Sequence, residues 1–201
     1  MSIYITKREA NEVAEEITNQ ISKKIKDDAE EVKTAYNIIV GDWGGAAAKT
    51  HVKTIEALYT DLVTLANHIG RFGSEVSNKV VELDEADHRL GGSSGTLTKA
   101  VYLELAPTLQ TVEIDSNNLK ITAASIDAGR KVTQVVENTE NLLKTLDNKR
   151  QTLEGYWKDG GNIEKISQGL EETREKIKEF KSKAAELIDA MLKTQQEVSR
   201  L

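Results

Sequence analysis

The stretch Gly41-Asp42-Trp43-Gly44-Gly45 separates two long segments whose apolar residues recur at helical spacing, and its reading decides the fold. Gly45 allows the backbone to turn where a side chain would clash. Trp43 is a large apolar body placed to plug the open end of the resulting helix pair. The second half repeats the arrangement as Gly155-Tyr156-Trp157-Lys158-Asp159-Gly160-Gly161. The chain's two tryptophans therefore both fall where a helix must reverse, and Trp43, Gly44, Gly45, Trp157, Gly160 and Gly161 form the turn set.

Outward from the first turn, Thr6 and Glu9 stand as a capping box, with Ile5 and Ala10 placed as a hydrophobic staple. An apolar stripe then runs from Ala10 through Val13, Ile17, Ile21, Ile25, Val32 and Tyr36 to Ile39 in steps of three and four. Beyond Trp43 a second stripe runs from Val52 through Leu62, Ile69 and Val80 to Leu90, with Gly70 and Gly73 weakening its middle and suggesting a kink. Gly91-Gly92-Ser93-Ser94-Gly95 has linker composition, as suits a native surface loop or an engineered join, and Pro107 ends any helix begun at Leu97 to Leu105. A third stripe runs from Leu119 to Leu153, with Asp115 or Ser116 as its cap, and a fourth from Ile163 to Leu201, capped by Asn162. Each helix is expected to be about 50–60 Å long. The expectation is an all-α fold in which two long hairpins, residues 1–90 and 112–201, pack as an elongated four-helix bundle across a flexible joint at 91–111.

Apolar residues make up 38% and charged residues 30% of the 201, as suits thin bundles with much solvated surface. The net charge of −6 falls mostly on residues 1–90, with 11 basic against 16 acidic side chains, and no basic stripe suits nucleic acid. The absence of cysteine excludes disulfides and thiolate metal sites. No run approaches the length of a membrane span, and Met1–Glu9 lacks the apolar core of a signal peptide. Any export is expected to be signal-peptide-independent.

Little in the sequence points to catalysis. His51, His68 and His88 all lie on the second helix, too far apart to share a metal, and read as solvated or helix-edge residues. The carboxylates of Asp27-Asp28-Ala29-Glu30-Glu31 interleave with lysines and read as ion-pair surface. The glycine runs lack the Lys-Ser/Thr of a phosphate loop. The chain is expected to be no enzyme and to hold no cofactor or metal.

With its Trp43-Gly44-Gly45 turn, its length and its helix pattern, the segment 1–90 resembles the WXG family, the ESAT-type helical hairpins of type VII secretion in Gram-positive and mycobacterial cells. The resemblance implies pairing into antiparallel four-helix bundles, assembly in the bacterial cytoplasm, and export as a secreted substrate or targeting factor for larger toxins. The family's signal, Tyr-x-x-x-Asp/Glu past the second helix, has as its nearest equivalents Val80-x-x-x-Asp84 and Leu83-x-x-x-Asp87, which lack the aromatic; the signal would then lie on a partner. Trp157-Lys158-Asp159-Gly160 has one residue too many for Trp-x-Gly, so residues 112–201 resemble the family in architecture alone. The implied function is a non-enzymatic type VII secretion substrate or targeting/chaperone factor. Its two hairpins would pair within the chain, and its partners would be the secretion machinery and a toxin's N-terminal helical domain. The rivals are a structural coiled-coil scaffold without a secretion role and a membrane-active helical toxin.

Overall fold

A computed structural model of the protein describes residues 6–92, 96–157 and 161–201. The chain is all-α, and an isolated antiparallel bridge pairs Trp43 with Ile121. The helices are α1 (Lys7–Glu16), α2 (Ser22–Asp42), α3 (Ala46–Arg89), α4 (Ala123–Tyr156) and α5 (Gly161–Val198). A π-helical turn, Ile17–Ile21, joins α1 to α2 without a break. The chain forms two compact units, each assembled from three separated stretches.

The first unit takes in Met1–Ile25, Thr64–Leu105 and Leu142–Thr173. Its core is built from Ala14, Ile17 and Ile21 with Ile69, Phe72, Val76 and Val80, and from Leu143, Leu146 and Leu153 of α4. The helix α3 runs unbroken through Gly70 and Gly73. Both glycines serve close approach. A Cβ on Gly73 would lie 2.2 Å from the Thr18 hydroxyl and 2.7 Å from the Ala14 carbonyl, so the widened π-turn fits only against a bare backbone. Ser22 seals the same contact, its hydroxyl donating to the Ala66 carbonyl at 3.0 Å.

At the start of α1, Thr6 is the N-cap as expected, but its side chain makes no capping bond. The backbone N–H that Glu9 would have satisfied in a capping box instead donates to the Tyr156 carbonyl at 3.0 Å. Ile5, the other half of the expected staple, lies outside the described residues. Lys7 bridges Asp84 (3.1 Å) and Asp87 (2.8 Å) at the other side of the unit's helix pair.

The second unit takes in Lys26–Val63, Ala106–Asn141 and Arg174–Leu201. Val32, Tyr36 and Ile39 of α2, Val52, Ile55 and Leu62 of α3, Val132, Val135 and Val136 of α4, and Phe180, Leu187 and Met191 of α5 are all buried. Gly129 lets α4 and α5 close on each other, since a Cβ there would sit 2.6 Å from the Met191 sulfur. The third helix begins at Ala123, not at Asp115 or Ser116, and Leu119 of the expected stripe is exposed ahead of it. The operative cap is Thr122: its hydroxyl accepts from the Ser125 N–H, and the Ser125 hydroxyl in turn accepts from the Thr122 N–H. Asp115 builds a turn instead, accepting from the Asn117 N–H at 2.9 Å.

The segment from Thr96 to Ile121 contains no helix and lies extended, pinned by hydrogen bonds to helical side chains in both units. Linker composition therefore describes only its beginning, and Ser93, Ser94 and Gly95 lie outside the described residues.

Candidate functional site

The Trp43 turn is built in the second unit by the end of α2, the start of α3, the extended segment and α5. Trp43 is fully buried, and its backbone N–H completes the last turn of α2 by donating to the Ile39 carbonyl at 2.9 Å. Its indole N–H donates to the Thr194 hydroxyl of α5 at 3.3 Å, and that hydroxyl donates onward to the Ala190 carbonyl. His51 stacks on the indole, with ring centroids 6.0 Å apart and planes at 21°. It is half-buried at the helix edge against that ring, and burial lowers its pKa, opposed by the charge of Glu186.

Gly44 and Gly45 serve different needs. The Gly44 N–H donates to the Lys120 carbonyl at 3.0 Å, and a Cβ at Gly44 would lie 2.2 Å from the Asn118 carbonyl. Gly45 has φ +102°, where a side chain is strained, and its N–H donates to the Asp115 carbonyl at 3.1 Å. Lys120 returns a bond from its ammonium to the Gly41 carbonyl, and the Thr122 hydroxyl donates to Asp42. The motif therefore clasps the segment that leads into α4.

Trp157 is buried in the first unit, and its N–H completes α4 by donating to the Leu153 carbonyl at 2.9 Å. Its neighbour Tyr156 accepts from Thr6, the residue that precedes α1. Gly161 opens α5, while Lys158, Asp159 and Gly160 lie outside the described residues. Of the candidate signal residues, Val80 is fully buried and Asp84 nearly so, held by Lys7; Leu83 and Asp87 present surface.

The sequence reading missed the polar residues that hold the extended segment. Tyr36 donates to Glu56 (2.7 Å) and accepts from the Val112 N–H (2.9 Å), and burial pushes its pKa up to about 12. Tyr59 accepts from the Thr108 N–H, and Lys33 donates to the Thr108 hydroxyl. Asn11, Asn67, Ser74 and Ser77 do the same work in the first unit. In the sequence Tyr36 stands only as a member of an apolar stripe, and Asn11, Asn67, Ser74 and Ser77 carry no pattern that marks them.

Asp28 of α2 is buried in the second unit, where it accepts from the Thr139 hydroxyl of α4 at 2.9 Å. Burial raises its pKa to about 6, with Glu31 and Asp27 pushing the same way and Thr139 and Lys131 opposing. Beside it, Asp27, Glu31, Ile38, Ala128 and Lys131 line an open groove of about 410 Å³.

Among the described residues no cluster of His, Cys, Asp or Glu is arranged to hold a metal, and no helix is long and apolar enough to cross a membrane. What these side chains do chemically is bind backbone. No family model, no curated protein and no solved structure matches the chain.

Proposed function

We propose that the chain is a non-enzymatic substrate or targeting factor of a type VII secretion pathway, made of two WXG-like hairpins, α1–α3 and α4–α5, that pack as one four-helix bundle. The observation that carries this reading is the repeated construction of the two turns. Trp43-Gly44 bonds to Lys120 and pairs with Ile121, just ahead of α4, while Tyr156, beside Trp157, bonds to Thr6, just ahead of α1. Each half of the sequence thus uses its turn to hold the start of the other half. A pair of separate WXG proteins would have no covalent reason to do so, but a pair fused into one chain gains an internal partner. With Val80 and Asp84 committed to the core, a partner protein supplies the export signal in this reading.

The test is export. The tagged chain is expressed in a Gram-positive host with its secretion ATPase intact or deleted, together with a toxin that carries an N-terminal helical domain. Appearance of the chain in the medium only when the ATPase is present supports the reading. Retention in both hosts, with toxin export unchanged when the chain is deleted, favours a scaffold instead.

A further inference from the structure

Residues 98–105 lie extended across a face of the first unit built by α1 and α3, and that face grips them by their main chain. Asn67 reads both polar groups of one residue: its Oδ1 accepts from the Leu105 N–H and its Nδ2 donates to the Leu105 carbonyl, each at 2.9 Å. Ser77 accepts from the Ala100 N–H and Ser74 donates to the Ala100 carbonyl, both at 2.8 Å. Asn11 donates to the Thr98 carbonyl at 3.1 Å, and the Ser77 hydroxyl donates to Asn11 Oδ1, fixing both side chains.

Side chains enter the recognition at two places. Ala100 is buried, so a small residue is required there. Tyr102 lays its ring on Gly70, where any Cβ would come within 2.2–2.5 Å of ring carbons, and its hydroxyl donates to Asn67. Val101 and Leu103 alternate outward and are 71% and 80% exposed, so their burial does little to hold the segment down. The anchoring groups belong to regular helices, and bonds to main-chain groups are available from any extended polypeptide.

We propose that this face is a binding groove for an extended polypeptide of pattern small-x-aromatic, filled in cis by the chain's own Ala100-Val101-Tyr102, and that an extended segment of a partner protein bearing the same pattern takes its place. The groove is independent of the secretion reading and stands whether or not the chain is exported. Its own segment, tethered at both ends, competes at high effective concentration, so a partner must displace it.

The probe is a fluorescein-labelled peptide with the sequence of residues 96–107, titrated into the full chain carrying Tyr102→Ala, with folding followed by circular dichroism. The expected result is saturable binding, about tenfold tighter than to the unmodified chain, because the cis competitor is weakened. Replacing the peptide's tyrosine by alanine, or adding Asn67→Ala to the chain, is expected to weaken binding by about tenfold. A folded Tyr102→Ala chain that does not bind, or that binds regardless of Asn67→Ala, overturns the proposal. Should Tyr102→Ala fail to fold, the unmodified chain decides. Excess peptide is then expected to speed hydrogen exchange at the Ala100 and Leu105 amides while leaving α3 amides such as Ile69 unchanged. Exchange rates indifferent to the peptide overturn the proposal.

Discussion

The indole N–H of Trp43 and the hydroxyl of Thr194 meet at 3.3 Å inside the second unit, a buried bond between residues from opposite ends of the sequence. It ties the first turn to the last helix. Trp43→Ala is expected to cost about 3–5 kcal/mol, as for other fully buried large side chains. Thr194→Val keeps the volume but strands the indole N–H, at a cost of about 1–3 kcal/mol. Denaturant titration of both variants checks this; a Trp43→Ala chain as stable as the parent would mean that the ring contributes no packing.

Gly44→Ala and Gly45→Ala are expected to fail for different reasons. The first drives a methyl group into the Asn118 carbonyl and costs about 3 kcal/mol by overpacking. The second pays for a side chain at φ +102°, about 1–2 kcal/mol. Hydrogen exchange separates them. Gly44→Ala pushes off the segment around Lys120 and exposes the Gly44 amide, whereas Gly45→Ala leaves the segment in place at lower overall stability.

Gly70→Ala and Gly73→Ala reverse the usual helix rule. Each gains about 1 kcal/mol of intrinsic helix propensity. Each also places a Cβ at 2.2 Å from a neighbour, the Tyr102 ring or the Thr18 hydroxyl. We expect Gly73→Ala to be destabilising by about 1–3 kcal/mol, since the π-turn backbone has nowhere to go. Gly70→Ala should chiefly release residues 98–105, read as faster exchange there. A rise in melting temperature with unchanged exchange would refute the close-approach account of both glycines.

Asp28 makes stability depend on pH. Its folded pKa of about 6 lies above its ordinary 3.8, so the folded state holds the proton more tightly than the unfolded state. The associated stability is fully present below pH 3.8, falls as pH rises toward 6, and is absent above that. The span corresponds to roughly 3 kcal/mol. Asp28→Asn keeps an acceptor for Thr139 without the buried charge. It is therefore expected to be more stable than the parent above pH 6, with the difference closing below pH 4. Unfolding free energies of both chains between pH 3 and 8 check the sign; a constant difference would remove Asp28 as its source.

Lys7 is the counterpart in the first unit. It faces Asp84, whose carboxylate is nearly buried, and Lys7→Met removes that ion pair. A loss of about 2–3 kcal/mol is expected at neutral pH, toward the low end for buried pairs because Lys7 is itself part-exposed. Asp84→Asn added to Lys7→Met should recover much of the loss in a double-mutant cycle.

The helices and the Trp43 reversal were legible because they are local. Steps of three and four from Ala10 to Ile39 and from Val52 to Val80 leave one helical answer, and Gly45 beside Trp43 permits one kind of break. Where sequence logic failed, a distant group had taken a local bond. The Thr6 N–H went to Tyr156 and not to Glu9, and Thr122 displaced Asp115 as the cap of α4 once the preceding segment was clasped by Gly44 and Gly45.

The sequence by itself therefore determined an all-α chain, the places where its helices turn, and which stripes are apolar, since periodicity and backbone sterics act within a few residues. Tertiary structure alone decided that residues 96–121 are a pinned strap rather than a loose joint. It also decided that Gly70 and Gly73 are contact surfaces, that His51 stacks on Trp43, and that burial raises the Asp28 pKa to about 6. Each of these depends on which group from far along the chain arrives at the site, and on how much water that arrival removes.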